Sequence, residues 1–258
     1  MSSGRLLATA FGVGVDLRWR DLTTDEDHTA LLATALPPGA MRGAPDERVI
    51  VDVTRDDAGW RIAGSSGRHR SDDHLVHALE RVICAPVALR APGLVFVHAG
   101  VVGTASGAVL LPGRSFSGKT TLVSALIERG ATYLSDEYAV LTPAGRVLPY
   151  RRRLSLRVDD QRIDVSPPDD VVPESMPVSA VLSLRYIDGS PFDVNPLDAG
   201  ETMMHLVANA VAARTRASEV MRACAAVARR ASGWAGFRPD ATSASVDVLR
   251  LLGSDAAT

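Results

Sequence analysis

"LLPGRSFSGKTTLVSALIERGATYLSDEYAVL", residues 110–141, decides the reading of this chain. Inside it, "GRSFSGKT" at 113–120 has the spacing Gly-x-x-x-x-Gly-Lys-Thr. Glycines at 113 and 118 allow a tight turn in which successive backbone N–H groups point inward at an anion. The apolar run "AVLL" at 108–111 reads as a strand entering this loop. A helical pattern runs from Thr120 to Arg129 and stops at Gly130. Strand, glycine loop and helix in that order grip a phosphate, with the positive end of the helix facing it. The expected nucleotide contacts are Gly113, Arg114, Ser115, Phe116, Ser117, Gly118, Lys119, Thr120 and Thr121. Lys119 reaches the β- and γ-phosphates and the Thr120 hydroxyl ligates Mg²⁺, so ATP and Mg²⁺ are the expected ligands. Among 28 basic residues Lys119 is the only lysine, and a compact ammonium on a flexible stem does what a planar guanidinium cannot.

The acidic pair Asp136–Glu137 follows the loop closely. The strand at 108–111, the helix and a strand at 132–135 form a βαβ unit, hence parallel strands whose carboxyl ends share one sheet edge. That edge is where ligands bind in such sheets, and it places Asp136 beside the loop. The preceding run "LVFVHAGVV" turns at "GTASG", which sets His98 across from Pro112. The turn "TPAG" brings Arg151, first of three arginines at 151–153, back near Asp136. His98, Lys119, Asp136, Glu137 and Arg151 are therefore the expected catalytic group, with Thr120 on the metal. One carboxylate holds Mg²⁺ and the other accepts the proton of an attacking hydroxyl. His98 orients that carboxylate or bonds the moving phosphoryl group, and an arginine offsets its charge.

Around this centre the chain divides. Residues 1–90 read as a β-rich accessory segment, with a hairpin about "DDAG" and a closing helix in "SDDHLVHALERVICAPVAL". His74 and His77 decorate that helix rather than bind metal. Residues 91–258 hold the loop, further strands at "VSAVLSLRYI" and "FDVNPL", and helices at "GETMMHLVANAVAA" and "ASEVMRACAAVARRA". The tail "GWAGFRPDATSASVDVLRLLG" reads as strand then helix. A net charge of −2 argues against a nucleic-acid partner bound by bulk electrostatics. No apolar run approaches membrane-spanning length, so no membrane partner is expected. Cys84 and Cys224 lie in apolar helical patterns without metal-ligand spacing, which reads as buried thiols of a cytoplasmic protein.

These residues resemble the HPr kinase/phosphorylase family, distant kin of the ATP-dependent phosphoenolpyruvate carboxykinases. The resemblance covers residues 94–157 well and the rest in outline. That family sets a histidine 21 residues before the loop lysine, where "VHAG" here places His98. Its acidic pair stands 17 and 18 residues after the lysine, which lands on Asp136 and Glu137. The resemblance implies an α/β fold: a P-loop kinase core of the HPr kinase/carboxykinase type, a mixed β-sheet flanked by helices, with the β-rich segment in front. It implies ATP-dependent transfer of a phosphoryl group to a hydroxyl, with Glu137 as base and Asp136 as metal partner. It points to the compact relatives of biosynthetic clusters, some of which phosphorylate a serine of a precursor peptide, so a serine-bearing peptide or small protein is the expected acceptor. Members are often homo-oligomers. Two departures stand out. Phe116 and Ser117 replace the central glycine position and its neighbour in the family loop, and "RRRLSLRVDDQRIDV" stands where bifunctional members carry a Gly-rich segment with a metal-binding glutamate. A phosphorylase half-reaction therefore lacks support. A small-molecule kinase and a non-catalytic nucleotide-binding regulator remain open alternatives.

Overall fold

The first hairpin is β1 (Ser2–Ala10) and β2 (Val13–Asp21), paired from Ser2–Asp21 to Ala10–Val13, with burial alternating along β1. The two residues between them, Phe11 and Gly12, both have positive φ (51° and 78°), the tight hairpin turn that matches strand twist. In this computed structural model, residues 1–43, 48–113, 117–158, 161–166 and 171–255 are described. Chain contacts divide it into two compact units, Met1–Pro92 and Gly93–Thr258.

In unit 1, α1 (Thr29–Ala33), β3 (Met41–Arg42), β4 (Arg48–Asp56), β5 (Gly59–Ile62), β6 (Arg68–His69) and α2 (Asp72–Arg90) follow. The sheet order is β3-β1-β2-β4-β5-β6, with β4 parallel to β2 and the other pairs antiparallel. One sheet face buries Val15, Leu17, Val51, Val53 and Trp60, and α2 buries Leu75, Leu79, Ile83 and Val87. Ser71 caps α2 by accepting from His74 N–H, and Asp72 and Asp73 favour its positive end. His77 faces Glu80 at 3.2 Å on the helix surface.

In unit 2, the apolar run from Val95 is β7 (Val95–Thr104), which turns at Ala105–Ser106 into β8 (Gly107–Pro112). The loop then opens α3 (Lys119–Ile127). Next come β9 (Thr132–Ser135), β10 (Tyr138–Leu141), β11 (Arg146–Leu148), β12 (Leu154–Val158) and β13 (Gln161–Val165). The chain ends with β14 (Met176–Tyr186), β15 (Asp193–Leu197), α4 (Ala199–Val207), α5 (Ala217–Ala228), β16 (Ser232–Arg238) and α6 (Ala241–Asp255). The main sheet runs β11-β10-β7-β8-β14-β16-β15, and β11 also pairs with the start of β14. β8, β14 and β16 are parallel neighbours, whereas β7 is antiparallel to β8, β9 and β10.

Because both faces of the sheet's centre are covered, β8 and β10 are buried at every position rather than alternating. Val97, Ala99, Ala108 and Leu110 pack with Leu206, Val220 and Cys224 of α4 and α5. Val102, Val109 and Leu111 pack with Leu122, Val123 and Leu126 of α3 and with Ala244 and Val248 of α6. The chain is thus mixed α/β, with mixed sheets flanked by helices. Both cysteines are buried, and burial pushes the Cys224 thiol up to about 12, which leaves it unreactive. Among the described residues no helix is long and apolar enough to cross a membrane.

Candidate functional site

The site begins where β8 ends. Ala99 pairs with Pro112, and His98 O accepts from Gly113 N–H at 3.1 Å, so His98 sits one residue from its expected partner. Of the nine residues expected to hold nucleotide, Arg114, Ser115 and Phe116 lie outside the described residues. Gly113, Ser117, Gly118, Lys119, Thr120 and Thr121 are described. Gly118 is left-handed (φ 77°) and caps α3, and a Cβ there would lie 2.5 Å from Arg238 Nη2. A side chain at this position would be strained by the backbone and would push the Arg238 guanidinium aside.

Arg238 ends β16, a strand parallel to β14 and so to β8, which delivers it to the same sheet edge. It is only 3% exposed. Its Nη2 donates to Gly118 O at 3.1 Å and Ser117 O at 3.4 Å, and its Nη1 donates to Pro239 O at 3.0 Å. In a trans peptide the C=O and the following N–H point oppositely. Holding these two carbonyls therefore aims the N–H groups of Gly118 and Lys119 away from Arg238. Nothing in residues 232–238 announces this role in the sequence.

The acidic pair lies at a break in a strand. β9 and β10 both pair with β7 in nearly one register, Val101–Ser135 and His98–Tyr138, with Asp136 and Glu137 between them. The expected strand at 132–135 is β9, and Asp136 and Glu137 form a bend between it and β10. The buried Ser135 hydroxyl causes the bend locally, because it accepts from both Glu137 N–H (3.2 Å) and Tyr138 N–H (3.0 Å). Glu137 O still accepts from Ala99 N–H at 3.1 Å, which keeps the bend seated on β7.

That bend meets the loop. Thr120 Oγ1 donates to Asp136 Oδ2 at 3.0 Å, and Tyr133 Oη lies 3.0 Å from Asp136 Oδ1 and 3.1 Å from Arg152 O. Burial raises the Asp136 pKa above the ordinary carboxylate value, although Tyr133, Thr120 and Arg152 oppose the shift. Burial and the Asp136 charge push the Tyr133 phenol up. Lys119 Nζ donates to Gly113 O at 2.9 Å. Burial lowers its pKa against the pull of Asp136 and Glu137. His98 is lowered by burial and by the Lys119 charge, and its ring stacks tilted on Tyr138 at 4.9 Å.

Arg152, not Arg151, reaches the acidic pair, its Nη1 donating to Glu137 Oε2 at 2.7 Å. Arg151, expected there, instead has its guanidinium 5.9 Å from the Tyr133 ring centroid. The correction has a local cause. Thr142 N–H bonds to Arg146 O and Gly145 is left-handed (φ 75°), a three-residue loop that advances the returning strand by one residue. Tyr133 and Ser135 were also missed, being polar tips inside an apolar strand pattern.

Among the described residues there is no group of three or more His, Cys, Asp or Glu that could hold a metal. Mg²⁺ needs no such group. It takes one or two protein oxygens and completes its shell with phosphate and water. The Thr120 hydroxyl and the Asp136 carboxylate are two hard oxygens already in contact, and a half-buried carboxylate whose side-chain hydrogen bonds come from hydroxyls suits a cation. No protein-family model and no curated protein matches this chain.

Proposed function

We propose that unit 2 is an ATP- and Mg²⁺-dependent phosphotransferase with a P-loop core of the HPr kinase type, acting on the serine hydroxyl of a peptide or small protein. The observation that carries this reading is the 3.0 Å hydrogen bond from Thr120 to Asp136, which joins the glycine loop to the acidic bend. In this reading the loop N–H groups and Lys119 bind the phosphates, and Thr120 and Asp136 hold Mg²⁺. Bound Mg²⁺ supplies charge neutralisation at the phosphate oxygens.

Glu137 takes the proton of the acceptor hydroxyl as its oxygen attacks the γ-phosphorus. The new O–P bond forms, the bond from γ-phosphorus to the β,γ-bridging oxygen breaks, and ADP leaves with that electron pair. Arg152 orients Glu137 through their ion pair and adds positive charge beside the moving phosphoryl group. His98, whose lowered pKa keeps it neutral at pH 7, offers a hydrogen bond without adding charge.

Purified protein incubated with γ-labelled ATP, Mg²⁺ and a mixed peptide and metabolite extract tests the acceptor class. Label recovered as phosphoserine in a peptide supports the reading. Label in a free metabolite replaces the acceptor, and tight ATP binding with no label anywhere overturns the transferase.

A further inference from the structure

We propose that the outer face of the unit 1 sheet is a docking surface for an acidic, extended polypeptide segment. The inference rests on unit 1 alone and is independent of the phosphoryl-transfer reading.

Strand alternation separates the two faces cleanly. The face opposite Trp19 and Trp60 carries Arg5, Arg18, Arg20, Arg48, Arg61 and Arg68, placed by register on four neighbouring strands and β6. Among the described residues the carboxylates sharing it are Asp16, Asp52 and Asp56. In a chain whose net charge is −2, this face has the opposite sign.

Among the described residues of this face, guanidinium groups outnumber carboxylates. Asp16 is 1% exposed, and its oxygens receive Arg5 at 2.7 and 2.8 Å and Arg18 at 2.7 Å, with Arg48 at 4.0 Å. Asp16 thus faces three guanidinium groups, and Arg5 and Arg18 remain nearly half exposed (47% and 44%). Asp56 pairs with Arg68. Towards the other end, Arg20 lies opposite Thr54, and Thr54 opposite Arg61. Two strand spacings separate these exposed arginines, about 10 Å.

The surface also offers apolar contact. Ile50, beside Asp16 in register, is 56% exposed, and Met41, beside Thr9, is 72% exposed. Guanidinium forks match carboxylates in paired hydrogen bonds, and Ile50 and Met41 can take aliphatic side chains between them. A polypeptide mixing Asp or Glu with aliphatic residues complements both features. Single-stranded nucleic acid fits less well, because it needs stacking platforms. Among the described residues of this face none is aromatic, and the rings of Trp19 and Trp60 are buried on the other side.

The test uses the full chain and fluorescence anisotropy. The probes are a labelled peptide of alternating Glu and Leu, the same peptide with Lys for Glu, and a single-stranded RNA of equal length. The acidic peptide is expected to bind, to weaken by about tenfold or more on raising salt several-fold, and to bind far better than the basic one. Arg20→Glu with Arg61→Glu, both exposed, should lower its affinity about tenfold with an unchanged melting temperature, and Ile50→Ser should lower it less. Equal binding of the two peptides, no binding of either, RNA binding tighter than the acidic peptide, or undiminished binding by the double variant would overturn the proposal.

Discussion

Two aspartates, Asp16 buried in unit 1 and Asp136 half-buried in unit 2, lie in surroundings of opposite character. Asp16 is gripped by Arg5, with Arg18 adding to the effect, and its pKa falls well below the usual carboxylate range. Asp136 has burial as its dominant influence and two hydroxyls as its nearest partners, and its pKa rises. A carboxylate neutralised by guanidinium groups is finished as a structural element. A half-buried carboxylate hydrogen-bonded by hydroxyls beside a glycine loop presents hard oxygens that suit a metal ion. The same residue type thus serves packing in one unit and points to chemistry in the other.

The contrast can be broken most sharply in unit 2. Lys119→Ala should reduce phosphoryl transfer by about 10³-fold or more, measured with γ-labelled ATP, because no other described cation donates into the loop at Gly113. Glu137→Gln should cost about 10²–10⁴-fold in turnover while leaving ATP affinity unchanged by calorimetry. Equal loss of ATP affinity in both variants would remove Glu137 from the role of base.

Smaller effects sharpen the comparison. Asp16→Asn should destabilise unit 1 by about 1–2 kcal/mol in hydrogen exchange and leave transfer untouched, since it strands Arg5 and Arg18 without their anion. Tyr133→Phe should raise the Mg²⁺ concentration needed for half-maximal activity by about tenfold or less, a single lost hydrogen bond to Asp136.

Acidification should separate the units by sign. The lowered pKa of Asp16 means its contribution is complete above the unfolded value of about 3.9 and is lost as pH falls towards the folded value. The raised pKa of Asp136 works the other way, because the folded state binds its proton more readily. Hydrogen exchange below about pH 4 should therefore loosen unit 1 around β2 before the bend at Asp136.

Much of unit 2 was legible because its signals are local. Glycines at fixed spacing, a lysine unlike every other cation in the chain, and a helix pattern that stops at Gly130 need no tertiary knowledge. Register arithmetic then brought His98 and the acidic pair to one edge, with errors of one residue. Those errors have physical sources in turn geometry. The turn after β7 has two residues, and the one before β11 has three with Gly145 left-handed, which exchanged Arg151 for Arg152. Arg238 was illegible because its role is written in strand order, and β16 neighbours β14 only after the chain has folded. Ser135 was hidden in an apolar run, and its function depends on two backbone N–H groups that a continuous strand would have used elsewhere. In unit 1 the hairpin about "DDAG" was readable, whereas the arginine face required knowing which strands lie side by side.

The most direct test of the central claim is the coupling between Mg²⁺ and ATP binding in the intact chain, measured by calorimetry with and without the metal. Mg²⁺ should tighten ATP binding in the unaltered protein, and Asp136→Asn should remove this tightening while ATP still binds through the loop. Absence of ATP binding, or an equal Mg²⁺ effect in the variant, would contradict it.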